Sequence, residues 1–155
     1  MRRPHKSTER VSEDLKFNSK KVSKFINYVM LDGKKSIATK IVYDAFNIIE
    51  EKGEGKALEV FETALKNVAP EMEVKSRRVG GANYQVPIPV DAKRQQALAF
   101  RWILGFARDG KGQPMAKKLA SILIESAKNE GPAVKKRENT HKMAEANKAF
   151  AHFAW

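Results

Sequence analysis

Only one stretch of this chain alternates. Tyr84, Val86, Ile88 and Val90 recur at a period of two and would share one face of a strand. Met72 and Val74 begin a partner strand that runs into Lys75, Arg77 and Arg78, with Gly80-Gly81-Ala82-Asn83 between the two. Gly80, Gly81 and Asn83 accept positive φ at little cost, as a tight hairpin turn requires. Pro87 and Pro89 cannot donate ladder hydrogen bonds, so the second strand should be an edge or peel away. The remaining apolar residues fall at helical spacing, which limits the sheet to one hairpin at about residues 72–90. A lone hairpin is marginal in water and needs a packed base or an ordering partner. Two readings stand: a basic arm that meets a partner, or a surface hairpin with solvated charges.

The helices follow in order. Asn18 or Ser19 can cap a first helix to about Leu31, with Val22, Phe25, Ile26 and Val29 inward. Asp32-Gly33 then ends it, Gly suiting a left-handed C-terminal position. A second helix, about Lys35 to Lys52, should bury Ile37, Ile41, Ala45, Ile48 and Ile49. A third, about Lys56 to Ala69, buries Leu58, Phe61, Leu65 and Val68 and stops before Pro70. Beyond the hairpin Asp91 can cap a fourth, to Arg108, whose main apolar arc is Leu98, Ala99, Trp102, Ile103 and Phe106. Phe100 and Leu104 fall on its other side. The fifth begins at Pro114 and buries Met115, Leu119, Ile122 and Leu123. The sixth starts near Ala133 and could run past Phe150, with Met143, Ala146 and Phe150 as its stripe.

Charge is high and segregated. The 155 residues carry a formal +12, with a pI near 9.9. Residues 1–24 hold eight Lys/Arg against three Asp/Glu, whereas residues 41–73 hold three against eight. That arrangement points to a polyanionic partner, nucleic acid before an anionic membrane surface. Residues 1–17 have little apolar periodicity and read as a mobile basic arm, and the domain follows at 18–155. The absence of cysteine removes disulfides, thiolate metal sites and cysteine nucleophiles, and is compatible with a reducing cytoplasm. No secretory signal and no apolar run of membrane-spanning length is visible, so no membrane partner is expected.

Enzyme motifs fail one by one. Gly33-Lys34-Lys35-Ser36 lacks the glycine of a phosphate loop, because Tyr28 stands there, and Lys35 replaces the hydroxyl residue. His5, His141 and His152 have no metal-ligand spacing, so neither metal nor other cofactor is expected. His141 and Glu145, one turn apart, leave a nuclease open as an alternative. On the fourth helix Arg94, Arg101 and Arg108 stand two turns apart along the main wet stripe of a mostly apolar helix. They face a partner, or they pair with the acidic second and third helices.

Gly33-Lys34-Lys35 followed by Ile41-Val42 and Ala45 resembles the signature of the small-subunit ribosomal protein seven family. Val74 to Gly81 with Tyr84-Gln85-Val86-Pro87 resembles its hairpin. Arg101-Trp102 and the run Ala133 to His152 resemble its fourth and last helices. The likeness covers the chain from Phe17 onward, in order, and the compact length is similar to the bacterial or organellar form. Met1-Arg2-Arg3-Pro4 and Glu13-Asp14-Leu15-Lys16 depart from the usual bacterial pattern, so the arm's contacts do not carry over. Ala154 departs too, at a place often basic.

The resemblance implies a mainly α single domain of six helices with a long β-hairpin inserted between helices 3 and 4. It implies a non-enzymatic protein that binds the 3′ major domain of small-subunit ribosomal RNA and helps nucleate the subunit head. Its hairpin would approach the exit-site transfer RNA and the messenger path, and its neighbour would be small-subunit ribosomal protein eleven. The place implied is the small ribosomal subunit of a cytoplasm, or of an organellar stroma or matrix. A free basic nucleic-acid chaperone or DNA-binding protein is the alternative.

The RNA-binding residues expected from the basic charge begin in the arm with Arg2, Arg3, Lys6 and Arg10. Lys20, Lys24, Lys34 and Lys35 follow on the first helix and the loop after it. The hairpin supplies Lys75, Arg77 and Arg78, and the fourth helix Arg94, Arg101 and Arg108. Lys117 and Lys118 come from the fifth helix. Lys135, Lys136, Arg137, His141, Lys142 and Lys148 come from the last. The turn at Gly80, Gly81 and Asn83 is expected to work on translating ligands more than on ribosomal RNA affinity.

Overall fold

A computed structural model describes residues 11–153 of the chain. Six α-helices run as α1 (Lys20–Val29), α2 (Lys35–Glu51), α3 (Ala57–Val68), α4 (Ala92–Asp109), α5 (Met115–Ala127) and α6 (Gly131–Ala146). A 3-10 helix, Lys148–Phe153, continues the last. Strands β1 (Met72–Val79) and β2 (Ala82–Pro89) form an antiparallel hairpin between α3 and α4. The fold class is as the sequence indicates.

The centre of the core is aromatic. Phe25, Phe46, Phe61 and Phe100, from α1, α2, α3 and α4, are all fully buried. Phe61 lies 5.2 Å from Phe25, 5.5 Å from Phe46 and 6.4 Å from Phe100, centroid to centroid. Leu119, Ala120 and Leu123 of α5 close the core from the other side and are likewise fully buried. Rings at these distances add to the area they remove from water.

The large rings also rotate two helices away from the expected orientation. In α2 the buried face is Ala38, Val42, Ala45, Phe46 and Ile49. Ile37 is 55% exposed, and Ile41 and Ile48 are only partly covered. Phe46 packs against Phe61 and so brings the stripe one residue round. In α4 the fully buried set is Ala99, Phe100, Ile103, Leu104 and Ala107, while Trp102 and Phe106 stay half-buried. Phe100 sits 5.2 Å from Phe25 and fixes that face inward. Both corrections have one cause: the ring that meets rings of neighbouring helices sets the rotation, Phe46 on Phe61 and Phe100 on Phe25.

Helix ends differ in detail too. Ser19 occupies the N-cap position of α1 with extended backbone, yet its side chain makes no capping bond. The chain is turned instead at Asn18, φ 48°, whose N–H donates to the Asp14 carbonyl at 2.8 Å. α1 ends at Val29, short of Leu31, and the left-handed Asp32 and Gly33 shape the loop beyond it. At the other end of the chain, α6 opens on Gly131 with φ +87°. A Cβ there would lie 2.7 Å from Glu125 Oε2 and 3.1 Å from Glu125 Cβ, so a side chain at this left-handed position would be both strained and crowded.

The segment before α1 is anchored in its last residues. Asp14 is buried and accepts from the Lys16 and Phe17 N–H groups, each at 3.1 Å, and from the Tyr43 hydroxyl at 2.9 Å. Phe17 packs edge-on against Phe46 at 5.0 Å. The expected mobile arm therefore meets the body at Asp14 and Phe17, which local periodicity does not register. Burial, then the bond to Asp14, pushes the Tyr43 hydroxyl above its ordinary 10.0.

α6 departs furthest from expectation. Met143 is 50% exposed and Ala146 is exposed; the buried residues are Ala133, Val134, Thr140 and Ala144. Its inward face carries polar side chains, and periodicity of apolar residues cannot find such a face.

Candidate nucleic-acid interface

The hairpin register pairs Met72 with Pro89 and Val79 with Ala82, leaving Gly80-Gly81 as a two-residue turn. Both glycines have positive φ, 56° and 90°, as a right-twisting two-residue turn requires. The Val90 N–H donates to the Glu71 carbonyl at 2.9 Å, so Glu71 and Val90 form a hydrogen-bonded pair. Antiparallel pairs alternate, which puts Pro87 opposite Val74 and Pro89 opposite Met72 at non-bonded positions. The two prolines thus cost the ladder nothing. Val86 and Val90 are buried and Tyr84 and Ile88 half-buried on the expected face. Arg77 and Arg78, adjacent in sequence, point to opposite faces.

The arginine stripe on α4 divides into three different environments. Arg94 Nε donates to both carboxylate oxygens of Glu73 on β1, at 2.8 and 2.9 Å. Lys75 approaches the same carboxylate at 3.2 Å. Arg108 Nη2 donates to the Tyr28 and Val29 carbonyls, at 3.3 and 3.4 Å, in the last turn of α1. Those carbonyls lack helical partners, and a cation there also complements the helix dipole. Arg101 is exposed and makes no hydrogen bond or ion pair with a described residue. The stripe is therefore not uniformly wet. Two of its members are taken by the fold, one by the hairpin and not by the acidic helices.

Glu73 has a pH consequence. Arg94 first, and Lys75 after it, hold this carboxyl below its ordinary 4.5, against burial, which pushes it up. The folded value is depressed, so the pairing adds stability that is present above the unfolded value. That stability is lost as pH falls through the folded value. Thermal melts from about pH 7 down to about pH 3 should show a steeper loss of Tm in the native chain than in Glu73→Gln. Parallel curves would remove Glu73 from this role.

Two expected contacts on α6 also turn inward. The Arg137 guanidinium donates to the Asn67 carbonyl in the last turn of α3. His141 Nε2 accepts the Glu71 N–H at 3.0 Å. With that lone pair engaged, His141 is not placed as a general base, and the nuclease alternative loses its residue. Lys118 Nζ donates to the Gly110 carbonyl at 2.8 Å and holds the loop between α4 and α5.

Most of the other expected residues that the structure describes face outward, whereas Lys24 and Arg77 are half-buried. Lys20, Lys34, Lys35 and Lys117 are exposed, as are Lys135, Lys136, Lys142 and Lys148 on α6 and its continuation. Arg78 and Asn83 are exposed at the hairpin end. Lys24 lines a groove of about 320 Å³ between α1 and α4, with Asn27, Tyr28, Lys93 and Gln96. Lys93 was not expected; only the packing of α1 on α4 brings it beside Lys24. Arg2, Arg3, Lys6 and Arg10 lie outside the described residues, as does Ala154.

Carboxylates of the acidic helices and the α2–α3 loop are partly engaged by lysines. Lys21 meets Glu62 at 3.0 Å and Lys128 meets Glu54 at 2.7 Å. Among the described residues no cluster could hold a metal ion, and no helix is long and apolar enough to cross a membrane. What the geometry offers is a set of outward cations with stems on rigid helices, suited to phosphates in a fixed arrangement.

Residues 1–148 match the family described as ribosomal protein S7p/S5e. The chain is similar to the small ribosomal subunit protein uS7 of Moorella thermoacetica, 59% identical over 94% of this chain and 93% of that one. It is 53% identical to the protein of the same name from Maricaulis maris and 56% to that of Campylobacter hominis, each over the full length of both chains.

Proposed function

The chain belongs to the ribosomal protein S7p/S5e family of structural, non-enzymatic ribosomal proteins, and from that premise we propose that it binds the 3′ major domain of small-subunit ribosomal RNA. It helps nucleate the subunit head there, beside small-subunit ribosomal protein eleven. The hairpin extends toward the exit-site transfer RNA and the messenger path.

One observation carries the reading. Arg101 stands exposed and without an intramolecular partner among the described residues, on a helix whose opposite face is buried in the core. A guanidinium held that way is available for charge-assisted bonds to phosphate. The shape of folded RNA, more than its base sequence, is what such a rigid array recognises. Lys93 in the neighbouring groove extends the array.

Replacing Arg101 with Ala should weaken binding to the 3′ major domain by about 1–3 kcal/mol. It should also lower the salt slope by about one phosphate equivalent. Arg94→Gln serves as the internal comparison, because its partner is Glu73. If Arg101→Ala binds as the native chain does, the helical face is assigned wrongly. Removing residues 78–83 in the same assay separates the hairpin: body affinity should change little while exit-site transfer RNA retention falls. Failure of the shortened chain to enter subunits would make the hairpin an assembly anchor instead.

A further inference from the structure

The hairpin leaves the helical body at Glu71 and rejoins it at Val90, and side chains from two other elements grip that joint. His141 on α6 takes the Glu71 N–H, and the Glu71 carbonyl takes the Val90 N–H, the first rung of the ladder. One turn earlier on α6, Arg137 holds the Asn67 carbonyl at the end of α3. Arg94 on α4 holds Glu73, two residues into β1. Further out, the 3-10 helix that continues α6 lays Phe150 and Phe153 against Tyr84 of β2, at 5.2 and 5.1 Å.

These fastenings lie at different heights along the hairpin. Contacts at the joint alone would attach the arm and leave it free to pivot. The aromatic contact far out along the hairpin removes the pivot, since Tyr84 stands only two residues from the end of β2 at the turn. We infer that α6 and its 3-10 continuation form a splint that sets the direction of the hairpin, with His141 and Arg137 as positioning residues. This accounts for the polar inward face of α6: its side chains satisfy backbone groups of another segment at the joint. It also accounts for the exposure of Met143, which lies off that face. The inference concerns the free protein and stands whichever polyanion the chain binds.

The chain has no cysteine, so two introduced thiols label cleanly. Nitroxides at Ala82→Cys near the turn and Glu51→Cys at the end of α2, both exposed positions, report the distance from hairpin to body. Electron–electron double resonance should give one narrow distribution for the otherwise native chain. His141→Ala combined with Phe150→Ala should roughly double its width, because a hairpin without its packed support is marginal. Tyr84→Ala removes the aromatic contact from the hairpin side and should broaden it as well. His141→Gln alone, whose side-chain carbonyl can accept the same N–H and which keeps the aromatic contact, should leave the distribution narrow. Circular dichroism should show the helices intact in every variant. A distribution that stays narrow in both the double variant and Tyr84→Ala overturns the inference.

Discussion

Affinity for structured RNA should fall by on the order of 10³-fold when salt rises from about 50 to about 200 mM. Each phosphate neutralised by a lysine or arginine releases condensed counterions, and the number of such contacts sets the slope. The fold decides which cations count. Lys21 and Lys128 are paired with glutamates, Arg94 with Glu73, and Arg108 and Lys118 with backbone carbonyls. Arg78, Arg101, Lys117, Lys135, Lys136 and Lys142 are exposed and make no such bond with a described residue. If about six phosphates are met, a plot of log affinity against log salt has a slope of roughly −5. Fluorescence anisotropy at several salt concentrations checks this. A slope near zero would mean that the outward cations do not touch phosphate, whatever the net charge of +12 implies.

Phe61→Ala should cost about 3–5 kcal/mol of folding stability. Phe61 has no exposed surface and its ring meets those of Phe25, Phe46 and Phe100, so its loss empties the point where four helices converge. Small domains are stable by roughly 5–15 kcal/mol, so this one change removes a large share. Urea unfolding should show a lower midpoint with an unchanged slope. Below the new transition, RNA affinity should match the native chain, because Phe61 contributes no surface. A loss under about 1 kcal/mol would show that the neighbouring rings collapse into the space.

The sequence made the elements legible and some of their orientations illegible. Val22, Phe25, Ile26 and Val29 read correctly as the buried face of α1 because that helix has no competing apolar side. The hairpin, its turn and its apolar face also read correctly, since period-two alternation beside Gly-Gly has no helical interpretation. α2 and α4 were harder. Each has apolar residues on more than one face, and which face goes inward is settled by Phe46 and Phe100 meeting rings on other helices.

The site was partly legible for the same reason. Residue type and charge segregation point to a polyanion, and the α4 spacing places three arginines on one line. What each arginine meets depends on distant chain: Glu73 for Arg94, the end of α1 for Arg108, no described residue for Arg101. His141 and Arg137 bond to backbone groups 70 positions away, and nothing local marks a backbone partner. Lys93 comes beside Lys24 only through the packing of α1 on α4.

On the proposed function, this basic surface fits one RNA, the 3′ major domain of the small subunit. The direct measurement is its affinity for that domain beside an unrelated structured RNA of equal length, in the same salt. Preference for the 3′ major domain should be on the order of 10²-fold or more, because a rigid array matched to a folded shape adds to the shared phosphate attraction. Equal affinity for the two RNAs would contradict it and leave a general binder of polyanions.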